Sequence, residues 1–292
     1  MTEYYVGFAQ TGSGLVERFV AVDGDTAHLD IWPSSLGTFK AEAGEDILTT
    51  LRNAVPELKL HKLDLGYGEY FPRMARPSSF LSEPSPGKNP DRSDSARNIR
   101  ITSTGQLHAL IQELQAICRV VHPIEANFQV YGHEIRNLLI IAATEVEAQW
   151  KGVLQANGAQ AETRIDYVKL SPAMKLPDYE VAIPWFPWLE SIKPFVGWVP
   201  TAKGEKQCLP WHDAYNAVKH DRENAFHQGT LEDAFQALAA CFVMLCAQYG
   251  WDFARSPEAA GDSFFQLIKA PAWAPEQIYL SGNPFKAVNY RF

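Results

Sequence analysis

The sequence predicts an α+β fold: a small N-terminal α/β unit, then a helical bundle carrying a Trp/Pro-rich insert. Three observations predict it. Residues 1–81 mix aromatic and β-branched runs with glycine turns, 82–98 lose nearly all apolar character, and in 99–255 apolar residues recur at helical spacing. Residues 256–292 form a C-terminal tail without clear periodicity, expected to pack on the N-terminal unit.

In the first unit Tyr4, Tyr5, Val6 and Phe8 suggest a strand, closed by the turn-forming Gly12-Ser13-Gly14. Val16, Phe19 and Val20, then His28 to Trp32, read as further strands. Over 45–58, Ile47, Leu48, Leu51 and Val55 stand at helical spacing. The run "SEPSPGKNPDRSDSAR" (82–97) has no aliphatic residue larger than alanine. It offers too little apolar surface to offset its ordering entropy, so it reads as a linker over 82–98.

Beyond it, Leu107, Leu110, Ile111, Leu114, Ile117 and Val121 form one stripe, with Ser103 or Thr104 as N-cap and Pro123 as stop. A longer helix is expected over 127–156, ended by Asn157-Gly158. Seven prolines between Pro172 and Pro210 rule out a long helix in the insert (171–210). Trp185, Trp188 and Trp198 there, with Trp211 just after, point to packing on the bundle. The segment 230–250 is apolar on nearly every side from Leu238 to Ala247, with Thr230 as N-cap, and belongs at a bundle centre. In the tail, Phe264 to Ile268 and Ile278 to Leu280 read as short strands.

With 46% hydrophobic and 21% charged residues, the balance is that of a soluble globular protein. No stretch reaches the roughly 18 apolar residues of a membrane span, and the start lacks the layout of a signal peptide. A cytoplasmic location without a membrane partner is the expectation. The four cysteines show no CxxC spacing, so neither a structural zinc nor a disulfide framework is expected. The net charge of −8 argues against a broadly basic nucleic-acid surface, though not against a small basic site.

Several motifs fail. "HEIRN" (133–137) has Asn137 where a zincin needs its second histidine. "GYGEYF" (66–71) lacks the third glycine of a dinucleotide loop, Gly12-Ser13-Gly14 is no nucleophile elbow, and no phosphate loop is present. No cofactor is therefore expected.

The chemistry concentrates in "YNAVKHDRENAFHQGTL" (215–231). If 211–227 is one helix, Asn216, His220 and His227 lie near one face. Histidine can pass a proton either way near neutrality, arginine offers a rigid fork of donors to a phosphate, and a helix N-terminus favours an anion. Arg222, His227 and the start of the next helix thus suit metal-free phosphodiester cleavage, with Asn216, His220 and Lys219 positioned to hold substrate. Capping and charge pairing explain the same residues: Asp221 and Glu223 can pair with Lys219 and Arg222. His133, Arg136, Asn137, Thr144, Glu147 and Lys151 form a second polar stripe, either a solvated face or one from which Glu147 or Arg136 supports that site.

Arg222-Glu-Asn-Ala-Phe-His227 fits the R-x4-6-H motif, and "RNLLIIAATEVEAQWKGVL" (136–154) precedes it in the order seen in uncharacterised bacterial HEPN-like proteins. Residues 100–250 thus resemble the HEPN superfamily. The resemblance implies a HEPN-like helical bundle and a metal-independent ribonuclease of toxin–antitoxin or anti-phage defence type, acting on RNA as a homodimer and restrained by a regulatory or antitoxin partner. Arg222 would hold the scissile phosphate, and His227 would move the proton as the ribose 2′-hydroxyl attacks. Active members commonly carry Asn, His or Asp after the arginine, where this chain has Glu223. Some members have lost catalysis and serve as dimerisation or nucleotide-binding modules, which is the alternative reading.

Overall fold

Tyr5 and Val6 are neighbours on β1 (Glu3–Thr11) and point to opposite faces, yet both are buried. Their sheet is therefore covered on each side. The computed structural model describes residues 2–12, 14–30, 37–81, 85–201, 209–250, 253 and 264–292. After β1 come β2 (Gly14–Asp23), β3 (Thr26–Leu29), β4 (Gly37–Lys40) and β5 (Lys59–Lys62), in an antiparallel sheet of order β4-β3-β2-β1-β5 with Val6 opposite Phe19.

One face packs Tyr5, Val20, Val22 and Leu58 against Ile47 and Leu51 of α1 (Ile47–Ala54). The other buries Val6 with Leu63, Ile278 and Leu280. The carboxylate of Asp46 caps α1 by accepting from Thr49 N at 3.0 Å. The helix is shorter than the expected 45–58 because Pro56 disfavours helical geometry at Val55. β3 ends at Leu29, and the last two residues of the strand expected up to Trp32 lie outside the described residues.

This unit comprises 1–70, 76–83 and 273–287, so the middle of the tail belongs with it while the two ends of the tail belong to the second unit. Within it β6 (Glu69–Tyr70) pairs in parallel with β9 (Lys286–Ala287). Ile278–Leu280 joins no ladder. Single bonds hold it instead: Gly68 N to Leu280 O and Tyr279 N to Pro77 O, both 2.9 Å.

The second unit comprises 71–75, 84–272 and 288–292, and here the expected linker is overturned. Residues 82–84 lie outside the described residues, but Ser85 and Asn89 are buried. Asn89 Nδ2 donates to Met74 O at 3.1 Å and Phe71 O at 3.4 Å, and Lys88 bridges to Gly250. Ser93 caps α2 (Asp94–Cys118), accepting from Ala96 N at 3.2 Å, so residues 94–98 are helical and Thr104 is interior rather than a cap. Backbone and amide hydrogen bonds hold 85–93, and these leave no hydrophobic signature to read.

α3 (His133–Ala156) starts later than the expected 127. Residues 128 and 130 instead present carbonyls to Glu232 N (3.1 Å) and Leu231 N (2.9 Å), which a helix would have consumed. At its end Gly158 takes a φ of +71°, the left-handed stop that Asn157-Gly158 leads one to expect. The insert packs as expected. After the short helices α4 (Arg164–Tyr167) and α5 (Leu170–Ala173), Trp198 stacks on Trp150 of α3 with centroids 4.7 Å apart. Trp211 Nε1 donates to Pro194 O at 2.9 Å, whereas Trp185 and Trp188 stay about half exposed. The strands β7 (Glu180–Ala182) and β8 (Gln266–Lys269) pair antiparallel.

The chain from 210 onward forms α6 (Pro210–His220), α7 (Arg222–Ala225) and α8 (Leu231–Tyr249). α8 packs on α2, α3 and α6, and Thr230 and Asp233 cap it reciprocally. Contrary to the expectation that no stretch would qualify, α8 is long and apolar enough to cross a membrane by length and composition. Its most apolar window is 83% buried among its neighbours. The chain is thus a mixed α+β protein with an apolar helix at the centre of its second unit.

Candidate functional site

The residues 211–227 are not one helix. At Asp221 the backbone leaves helical geometry (φ −133°, ψ 69°), ending α6. The same residue starts α7: its carboxylate accepts from Asn224 N at 3.2 Å and Asn224 Nδ2 at 3.0 Å. A 3₁₀ turn, Phe226–Gln228, leads to Gly229 and the cap of α8. The spacing argument that put Asn216, His220 and His227 on one face therefore fails, because the break turns the chain between the second and the third.

Arg222 and His227 are both exposed on this link. Arg222 makes no hydrogen bond or ion pair among the described residues, so its fork of donors is open. His227 has its ring edge-on to Tyr131, 6.4 Å between centroids. It lines a cleft of about 470 Å³ whose walls include Asp213, Glu232 and Asp233, and Arg222 is not among them. Arg164 Nη2 donates to Asp213 at 2.5 Å, Gln129 donates to Glu232 at 3.1 Å, and burial pushes the Asp233 carboxyl pKa up. The cleft beside His227 is acidic. The two motif residues share a link, and His227 lines this cleft without Arg222.

His220 and Lys219 are exposed at the end of α6. Lys219, however, is tied back: Nζ donates to Tyr215 Oη at 2.6 Å and lies 4.8 Å from that ring's centre. Tyr215 in turn donates to Glu147 at 3.3 Å, and His212 Nε2 meets the other Glu147 oxygen at 2.9 Å. Asn216 Nδ2 reaches His212 O at 2.9 Å and His212 Nδ1 at 3.3 Å. Since Asn216 donates at Nδ1, the proton that Glu147 accepts sits on Nε2, which fixes the tautomer. His212 and Tyr215 are fully buried. Burial alone would raise the Glu147 carboxyl pKa, but His212, the Lys219 charge and Tyr215 bring it below the usual range.

Glu147 thus reaches inward and joins α3 to α6, rather than standing in the His227 cleft. Asn216 spends its amide hydrogens inside the same network. Arg136 donates through Nε (3.3 Å) and Nη2 (2.9 Å) to Val218 O, holding the last turn of α6 just before His220. Its support of the exposed link is through the backbone. His212 and Tyr215 were missed from sequence, although each sits four residues before a partner, Asn216 and Lys219, on the same helix face.

No family model, no curated protein and no solved structure matches this chain. Its own geometry must carry the functional reading. Among the described residues no group of three His, Cys, Asp or Glu side chains is placed to hold a metal ion.

Proposed function

We propose that the chain is a metal-independent RNA endonuclease of HEPN type, acting from the link between α6 and α8 as a homodimer. The carrying observation is that Arg222, its guanidinium uncommitted among the described residues, and His227 both face solvent five positions apart. In this reading Arg222 binds the scissile phosphate as a fork. His227 takes the ribose 2′-hydroxyl proton, the 2′-oxygen bonds to phosphorus, and the P–O5′ bond breaks. The leaving oxygen takes a proton, giving 2′,3′-cyclic-phosphate and 5′-hydroxyl ends. His220, exposed at the end of α6, would hold substrate there, and Lys219 would act only from its place against Tyr215. Exposed motif residues, of which only His227 lines the neighbouring cleft, fit a site completed by a second copy. The setting proposed is a cytoplasmic toxin or anti-phage system whose activity a regulatory partner restrains.

One observation favours a second reading, a non-catalytic dimerisation or nucleotide-binding module. The carboxylates of Asp213, Glu232 and Asp233 around His227 repel a phosphodiester. Mixed cellular RNA incubated in EDTA with the native protein, His227→Ala and Arg222→Ala separates the two. Cyclic-phosphate ends that vanish in both variants support the nuclease. No cleavage by a folded, dimeric native protein supports the module.

A further inference from the structure

The second unit holds a separate cavity of about 150 Å³ whose walls carry Arg73, Arg92, Arg97, Arg100, Asp91 and Tyr249. Among the described lining residues Arg73, Arg97 and Arg100 stand with one carboxylate, Asp91. Asp91 is already engaged through Oδ1, which accepts from Ser93 N at 2.9 Å. Arg97 lies 3.3 Å from Asp94 in an exposed pair, which counts for little in water. The N-terminus of α2, a 25-residue helix, lies on the same wall at Ala96 and Arg97 and adds its partial positive charge.

Arg73 is the built part of this site. Its backbone sits at φ +55°, a left-handed geometry that a non-glycine residue adopts only under constraint. Its guanidinium abuts α3 at Gly152, where an added Cβ would stand 1.9 Å from Nη1. Nε donates to Gln248 at 2.8 Å, and Gln248 continues to Gln149 and then Glu145 in a polar chain between α8 and α3. Nη1 and Nη2 make no hydrogen bond of good geometry among the described residues. Burial pushes the Arg73 pKa down, against the opposing pull of Tyr249 and Glu145. Beside it lies the Tyr249 hydroxyl, on a residue 7% exposed, whose contact with Arg73 falls short of hydrogen-bond geometry. An unpartnered buried donor costs free energy unless something fills its place.

We propose that this cavity binds a phosphoryl group, with Arg73 and Tyr249 as the floor and Arg100 as the rim. The volume lies below the roughly 300 Å³ at which whole small molecules are usually enclosed, so one oxyanion enters and the rest of its bearer stays outside. Arginine forks match tetrahedral oxyanions bidentately. The bearer is either free phosphate or the terminal phosphate of a nucleotide or RNA strand. The site is distinct from the Arg222–His227 link and does not depend on the nuclease reading.

The test is calorimetric titration of the full chain with inorganic phosphate, with the 5′-phosphorylated form of a short RNA, and with its 5′-hydroxyl form. The variants are Arg100→Gln on the rim and Tyr249→Phe on the floor, each checked for native circular dichroism. Inorganic phosphate is expected to bind the native chain and to weaken about tenfold or more in Arg100→Gln, since a hydrogen bond to a charged group is worth roughly 1.5–3 kcal/mol. Tyr249→Phe is expected to bind several-fold more weakly. Preference for the 5′-phosphorylated RNA over inorganic phosphate identifies a strand end as the bearer, and equal binding identifies free phosphate. No binding of phosphate, or binding that both variants retain unchanged, overturns the proposal.

Discussion

Gly250→Ala tests whether residues 85–93 are part of the second unit or a loose connection. Gly250 ends α8 at φ 58°, ψ −135°, a region that only glycine occupies without strain. An added Cβ would stand 2.1 Å from Gly87 O, 2.6 Å from Gly87 C and 3.0 Å from Pro86 O. These are backbone atoms of a segment clamped by the Lys88–Gly250 bridge and by Asn89, so they cannot swing aside as a side-chain tip would. The backbone strain costs about 1–3 kcal/mol and the forced displacement a further 1–3 kcal/mol, so a loss of about 3 kcal/mol or more is expected. Gly105→Ala is the control: it lies within α2, nothing stands within 4 Å of its added Cβ, and helix propensity predicts a gain of up to ~1 kcal/mol. Both are measured by urea denaturation, following the fluorescence of the Trp150–Trp198 stack. If Gly250→Ala shifts the midpoint no more than Gly105→Ala does, the segment yields freely and the reasoning is wrong.

Glu147→Ala leaves the buried His212 N–H and Tyr215 hydroxyl without their acceptor, and a loss of about 2–4 kcal/mol is expected by the same denaturation, against about 1 kcal/mol for Asn216→Ala. Arg222→Ala and His227→Ala, both on exposed side chains, are expected to change stability by no more than about 0.5 kcal/mol, so loss of RNA cleavage in either reports chemistry rather than unfolding. Burial acts to raise the pKa of Asp166, but Lys169, Thr163 and two backbone N–H groups hold it at about 2 against an ordinary 3.8. A depressed carboxyl pKa stabilises the fold above the unfolded value, so this contribution is expected to fade as pH falls from about 3.8 toward about 2, and Asp166→Asn to flatten the acid limb of a stability profile over that range.

Local pattern in the sequence determined a good deal about this protein. The aromatic and β-branched runs and turns of the first unit, the apolar stripe of α2, the Asn157-Gly158 stop and the all-round apolar character of α8 are readable because neighbours along the chain fix them. The polar run 215–231 was legible as a concentration of polar side chains for the same reason. Tertiary structure decided what each polar group does. Asp221 breaks the helix that spacing alone made continuous, so His227 shares no helix face with Asn216 and His220. Glu147 faces inward because His212, 65 residues away, supplies its proton donor, and Arg136 ends on a carbonyl of α6. Segment 85–93 looks like a linker to any count of apolar atoms, yet Asn89 and Gly250 bind it down. Arg73, Arg100 and Tyr249 meet around one cavity from three distant stretches of sequence. Apolar burial leaves a periodic mark on the sequence, because a whole face must be apolar to gain by it. A hydrogen bond or a charge needs a single partner at about 3 Å, and that partner's place in the chain is free.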